Sequence, residues 1–248
     1  MSKTVLITGG AGGIGSATAL KLAEKGYDVV INYFSSKDKA LKLKETIEKE
    51  YGVRCLALKA DVSKEAEVDA MVENIEEEFG SVDILINNAA IDMPDLFDLK
   101  DAQQFRKILD VNVVGAYNCA KRVFPKMREK GWGRIINISS TNGINTYYPM
   151  CFDYDASKAA LNSLTHDLAV QFAPYVNVNA IAPGFIGTEK ELEGYDEEFL
   201  KQETDKILLK RYGQPEEIAA LIRFLISDEA SYINNSIIRI DGGQLGSC

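Results

Sequence analysis

The apolar run Thr4–Ile7 leads directly into Thr8-Gly9-Gly10-Ala11-Gly12-Gly13-Ile14-Gly15, and apolar residues at helical spacing (Ala19, Leu20, Leu22, Ala23) follow until Gly26. A buried strand, a glycine turn and a helix in that order leave few architectures open. Glycines let a backbone turn tightly and approach a pyrophosphate, and the helix behind the turn offers free N–H groups and the positive end of its dipole. A glycine cluster alone is a loop. Between a first strand and a first helix it predicts dinucleotide binding.

The alternation continues. Strand runs are read at Asp28–Tyr33, Arg54–Lys59, Val82–Ile86, Arg134–Ile138, Val176–Ile181 and Ile237–Ile240. Helical patterns are read at Ser16–Lys25, Asp38–Tyr51, Lys64–Phe79, Ala102–Lys130, Tyr154–Phe172 and Pro215–Ser227. Strands that alternate with helices and are apolar on both faces make a parallel sheet covered on both sides. The expected fold is therefore α/β: a three-layer, doubly wound arrangement on a seven-stranded parallel sheet, forming one domain over residues 1–248. Ligands of such sheets bind at the carboxyl ends of the strands. Residues 184–212 are less regular and rich in charge, which suits a short lid over the site and a plain surface insertion equally.

Composition enters as exclusion. Lys and Arg number 28 against 37 Asp and Glu, a formal charge of −9. Non-specific binding to nucleic acid or to anionic membranes needs the opposite balance. With His166 as the one histidine, a histidine-based metal site is not expected, and no metal is assigned. Cys55, Cys119, Cys151 and Cys248 form no C-x-x-C pair and read as reduced thiols. The opening Met-Ser-Lys and the short apolar run Val5–Ile7 do not make a secretory signal, and no apolar stretch reaches membrane-spanning length, so a cytoplasmic protein is expected.

Further motifs sit at the strand ends: Asp61 and Val62 after the third strand, Asn87-Asn88-Ala89-Ala90 after the fourth, Asn112 in the next helix, and Ser140 after the fifth strand. Tyr154-x-x-x-Lys158 and Pro183-Gly184-Phe185-Ile186-Gly187-Thr188 complete the set. Taken in order over about residues 4–244, they resemble the short-chain dehydrogenase/reductase family, in its 3-oxoacyl-(acyl-carrier-protein) reductase and glucose 1-dehydrogenase-like branch. Two departures are visible. Ala90 stands where that family has glycine, and Ser140 lies fourteen residues before Tyr154, one more than the branch pattern. Ser139 competes for its role; Ser140 is preferred because Gly143 then follows three residues on.

Tyr154 and Lys158 share a helix face at their spacing of four. An ammonium beside a phenol favours the phenolate, so the pair suits proton exchange with a substrate oxygen while hydride moves to or from a nicotinamide. The Ser140 hydroxyl is placed to hold the same oxygen. The resemblance implies the catalytic set Asn112, Ser140, Tyr154 and Lys158, with Lys158 also on the nicotinamide ribose and Asn112 positioning a relay water. It implies a Rossmann cofactor site from Gly9, Gly12, Gly13, Ile14, Gly15, Tyr33, Ser35, Ser36, Asp61, Val62, Asn88, Ala89, Ala90, Tyr154, Lys158, Pro183, Gly184, Ile186 and Thr188.

No acid follows the second strand until Asp38, so the group that selects NAD through the ribose 2′-OH is missing, while Ser35, Ser36 and Lys37 stand near a 2′-phosphate's expected place. NADP(H) is favoured over NAD(H). The substrate pocket is expected among Ile91–Met93, Asn142, Tyr147–Phe152 and Phe185–Glu189, with Asp92, Ser140, Asn142, Tyr148, Cys151 and Phe185 as its main lining.

A medium-sized carbonyl or secondary alcohol fits. An acyl-carrier-protein substrate is the alternative, disfavoured because an acidic carrier needs a basic patch; Lys121–Arg134 offers one, but Gln171–Tyr175 holds no cation. A dinucleotide-binding regulator without turnover is the alternative of another class. The resemblance also implies a homotetramer joined through the Ala102–Lys130 and Tyr154–Phe172 helices.

Overall fold

The computed structural model describes residues 2–245; Cys248 lies outside them. Seven parallel strands form one sheet: β1 (Thr4–Ile7), β2 (Asp28–Tyr33), β3 (Cys55–Lys59), β4 (Ile84–Asn87), β5 (Gly133–Ile138), β6 (Val176–Pro183) and β7 (Ile237–Ile240). Their spatial order is β3-β2-β1-β4-β5-β6-β7. Val5 pairs in register with Val29 of β2 on one side and Ile84 of β4 on the other. The order reverses at β1 and β4, and that reversal opens the crevice in which such sheets bind ligands.

Side chains alternate across the sheet, so each strand feeds two cores. Val5, Ile7, Val29, Ile31, Ile84 and Ile86 face one layer, where they meet α1 (Gly13–Ala23) and α9 (Pro215–Leu225) through Leu22, Ile218, Ile222 and Leu225. Leu6, Val30, Leu85, Ile135 and Val178 face the other, against Val68, Met71 and Ile75 of α3 (Glu65–Phe79), Met127 of α5 (Gly115–Lys130), and Leu168 and Phe172 of α6 (Phe152–Phe172). α2 (Lys37–Tyr51) packs over β2 and the edge strand β3 through Ala40 and Ile47.

The helix starts carry recognisable chemistry. Pro215 opens α9 behind a capping box of Gln214 and Glu217. Asp153 and Asp155 lie in the first turn of α6, where carboxylates complement the dipole.

Several element bounds shift by one to three residues, and three differences from expectation shape the site. The helix expected over Ala102–Lys130 is two helices, α4 (Ala102–Leu109) and α5, joined by a π-turn at Asp110–Val114 in which the Gly115 N–H donates to the Asp110 carbonyl. Apolar periodicity runs through such a turn, so sequence spacing does not reveal it. Residues 189–205 form two short helices, α7 (Glu189–Gly194) and α8 (Glu197–Asp205), capped by Thr188 and Asp196. β6 runs on to Pro183, two residues further than its apolar pattern.

Candidate active site

A cavity of about 310 Å³ opens at the carboxyl ends of β4, β5 and β6. On its floor, Lys158 is buried and its ammonium donates to the Ile138 carbonyl at 2.7 Å. The same ammonium sits 5.3 Å from the centre of the Tyr154 ring. Gly143 makes this packing feasible: a Cβ there would lie 2.6 Å from the Lys158 carbonyl carbon, so the turn after β5 touches α6 backbone to backbone.

The two candidate serines separate cleanly. Ser139 is buried and donates its hydroxyl to the Lys158 carbonyl at 3.3 Å. Ser140 lines the cavity with Tyr154 and exchanges bonds with Asn142 at 3.2 Å. Asn142 in turn donates to Asp155 at 2.6 Å, which holds the loop against α6.

Electrostatics run opposite to the expected depression of the tyrosine. Burial raises the Tyr154 phenol well above its ordinary value, Asp92 adds to that, and the Ser140 hydroxyl offsets part of it. Lys158 does not reverse this, because burial pulls its own ammonium down to about 8 and its N–H points at Ile138. Tyr154 thus stays protonated through neutral pH.

Asn112 does not reach the cavity. Its side chain accepts from the Ile91 N–H at 2.8 Å and donates to the Ile91 carbonyl at 2.9 Å and to Ser157 at 3.0 Å. It ties the π-turn to the segment after β4 and to α6.

The glycine turn is clamped from β4. Thr8 accepts from the N–H groups of Asn88 and Ala89, each at 3.0 Å, and the Asn88 amide donates to the Thr8 and Gly9 carbonyls at 3.0 and 2.9 Å. A Cβ on Gly15 would lie 2.5 Å from the Gly9 carbonyl oxygen, so this contact requires glycine. At Gly12 nothing stands within 4 Å of a Cβ, and α1 begins there with no side-chain cap and no acid in its first turn. Uncapped N–H donors beneath open space fit a pyrophosphate. From this turn the cavity wall continues through Ile14, Asn88 and Ala90 on one side and Pro183, Gly184, Ile186 and Thr188 on the other. Gly13 and Thr188 approach closely, with a Gly13 Cβ position 3.2 Å from the Thr188 methyl. Ala90, standing in place of glycine, is exposed on the cavity wall.

Other expected cofactor residues lie apart from the cavity. Tyr33 is buried at the end of β2, and Ser35 and Ser36 are exposed beyond it. Asp61 accepts from the Ser63 N–H and hydroxyl at 3.0 and 2.7 Å, shaping its own turn, and Val62 is buried against Gly115.

Asp92, Asn142, Tyr148, Cys151 and Phe185 all line the cavity with Ser140 and Tyr154. Met93, Tyr147, Pro149, Met150, Phe152, Gly187 and Glu189, expected there too, do not line it, and Tyr147 is three-quarters exposed. Spacing missed the roof: Lys190 and Glu191 from α7, then Tyr195, Phe199, Glu203 and Gln244. Tyr195 and Phe199 stack at 4.3 Å, an i,i+4 aromatic pair that was the available signal. Glu203 accepts from the Tyr148 hydroxyl at 2.5 Å and pairs with Lys206 at 2.6 Å. Burial raises the Cys151 thiol to about 11, which leaves it a lining group rather than a nucleophile. His166 is exposed and meets Asn235, away from the cavity. Among the described residues no cluster of His, Cys, Asp and Glu is arranged to hold a metal.

Residues 9–244 match the family model described as Enoyl-(Acyl carrier protein) reductase. The chain is 39% identical over 245 residues to 3-oxoacyl-(acyl-carrier-protein) reductase FabG of Staphylococcus epidermidis, covering 98% of this chain and 99% of that one. It is 36% identical to glucose 1-dehydrogenase 2 of Bacillus subtilis, covering 98% and 94%. Among solved structures, acetoin dehydrogenase YohF from Salmonella typhimurium superposes with a TM-score of 0.88 at 34% identity over 98% of this chain and 96% of that one. Levodione reductase superposes with a TM-score of 0.88 at 36% identity over 97% and 96%. With the sheet order and the glycine turn, these similarities identify the chain as a member of the short-chain dehydrogenase/reductase family of NAD(P)-dependent oxidoreductases.

Proposed function

We propose that the protein interconverts a small ketone and its secondary alcohol, with Tyr154 as the proton donor and acceptor. The observation that carries this is the meeting of Ser140, Tyr154 and Lys158 at one cavity beside an uncapped helix N-terminus. Ile14, Asn88, Pro183, Gly184 and Thr188 along that wall would hold a nicotinamide cofactor, which when bound would supply or accept the hydride. Tyr154, kept protonated by burial and Asp92, gives its proton to the carbonyl oxygen. Ser140 holds that oxygen, and the Lys158 ammonium stabilises negative charge as it develops on the tyrosine. Asn112 serves by holding Ile91 and Ser157 in place.

NADP(H) is proposed over NAD(H). No carboxylate stands at the end of β2, where the Asn32 side chain accepts from the Gly9 N–H at 3.2 Å, and Ser35, Ser36 and Lys37 are exposed beyond it. Residues 184–212 are proposed as the lid, because α7 and α8 supply the roof of the cavity. A homotetramer is proposed from the exposed apolar groups Val114, Tyr117 and Val170 on the α5 and α6 side, to be checked by light scattering. The free thiols Cys55 and Cys119 support a cytoplasmic location.

The relatives' names favour a second reading, reduction of a carrier-protein-bound 3-oxoacyl group. Against it, much of the basic stretch is neutralised by neighbouring acids: Lys121 by Glu65, Arg122 by Glu76, Lys126 by Glu129 and Lys130 by Asp83. A panel of carbonyls and alcohols, including a 3-oxoacyl carrier protein, run with both nicotinamides, decides. Small-substrate turnover with NADPH supports the proposal, and turnover confined to the carrier-bound substrate overturns it.

A further inference from the structure

We propose that the substrate carries an ammonium group remote from its reacting carbon, and that Glu191 in the roof of the cavity receives it. This rests on the small-carbonyl reading above and specifies its substrate.

The charged residues lining the cavity are Asp92, Lys158, Lys190, Glu191 and Glu203. Four of them are engaged. Lys158 donates to the Ile138 carbonyl, Asp92 and Lys190 form an ion pair, and Glu203 is held by Lys206 and the Tyr148 hydroxyl. Among the described residues, the Glu191 carboxylate has neither a hydrogen-bond nor an ion-pair partner. It is nevertheless partly buried; burial and Asp92 raise its proton affinity, and the Lys190 charge offsets part of that without bonding to it. A carboxylate with a bound cation shows the reverse: Arg211 draws Glu217 down to about 2.

A partly desolvated carboxylate on a cavity wall with no bonded partner is completed by a cation. A hydroxyl would satisfy a lone pair and leave the charge.

The walls specify an organic cation. Tyr195 and Phe199 line the same cavity as Glu191 and stack on each other at 4.3 Å, so aromatic surface shares the roof with the carboxylate. Such surface accepts an alkylammonium, through its carbon chain and its charge. Asp92, Glu191 and Tyr154 line one cavity of about 310 Å³, which puts the reacting oxygen and the roof within reach of one small molecule. Lys190 is paired with Asp92 and Lys158 lies at the reacting end of the cavity, so a carboxylate or phosphate tail finds no unpaired cation in the roof.

The test uses four secondary alcohols on one 2-pentanol frame whose far end is ammonium, methyl, hydroxyl or carboxylate. Each is oxidised at pH 7 with both nicotinamides. The expected order of kcat/KM puts ammonium first, at least about tenfold above methyl, which corresponds to about 1.4 kcal/mol, and carboxylate last. In Glu191→Gln the ammonium-to-methyl ratio falls to near one, and in Glu191→Lys carboxylate overtakes ammonium. A methyl, hydroxyl or carboxylate preference in the unaltered protein overturns the proposal, as does an ammonium preference that survives in Glu191→Gln. Turnover of none of the four overturns the small-alcohol reading and this inference with it; turnover without ammonium preference overturns this inference alone.

Discussion

The Lys100 ammonium and the Asp153 carboxylate form an ion pair from which solvent is almost wholly excluded, with side-chain exposures of 2% and 0%. Asp153 also accepts from the Tyr154 N–H at 2.9 Å. Lys100 lies 4.7 Å from the centre of the Phe152 ring, which packs on Phe97 and Phe105. The pair therefore fastens the segment before α4 to the first turn of the helix that carries Tyr154.

A buried pair costs most when one partner is removed, because the other is left charged and dry. Asp153 is exposed to that cost, since its second oxygen already lacks a partner. Lys100→Met is expected to lower stability in urea by about 3–5 kcal/mol. The double variant Lys100→Met/Asp153→Leu is expected to lose less than that single variant. Additive losses in the double-mutant cycle would contradict the pairing.

Lys158 is held at about 8 instead of the ordinary 10.5. The unfolded chain therefore binds more protons than the folded one between those values, so this group's contribution to stability rises with pH across that window and is at its worst below it. At pH 7 the cost of keeping it charged is about 3 kcal/mol, against about 1 kcal/mol for its bond to Ile138. Lys158→Met without cofactor should thus melt roughly 5 °C higher at pH 7 while losing turnover. The gain should vanish by about pH 10. A lower Tm at pH 7 counts against it.

The two glycines of the turn should separate folding from cofactor binding. Gly15→Ala drives a methyl to 2.5 Å from the Gly9 carbonyl oxygen and should lower both Tm and cofactor affinity. Gly12→Ala meets no protein atom within 4 Å and should leave Tm within about 1 °C, consistent with a neutral surface change. Its methyl intrudes on the space over the helix N-terminus, so cofactor affinity should fall about tenfold or more by titration. Unchanged affinity would place the pyrophosphate elsewhere.

The parallel sheet was legible because strands buried on both faces are apolar at nearly every position and helices recur between them. Ser140 and Gly143 were legible as a spacing, and Gly143 proves to matter through its contact with the Lys158 backbone. The π-turn was hidden by unbroken apolar periodicity. Lys100 and Asp153 were hidden because fifty-three residues separate them and neither carries a local signature. The direction of the Tyr154 shift was misread because the Tyr-Lys spacing shows an ammonium nearby but shows neither its burial nor its bond to Ile138.

The central claim is that Tyr154 moves the proton, and Tyr154→Phe tests it directly. Removing one hydroxyl at a general acid should lower kcat for carbonyl reduction by about a thousandfold. The dissociation constant of the nicotinamide cofactor, measured by fluorescence titration, should stay within about threefold, a change below 1 kcal/mol. Reduction that persists within tenfold of the unaltered protein would contradict the account.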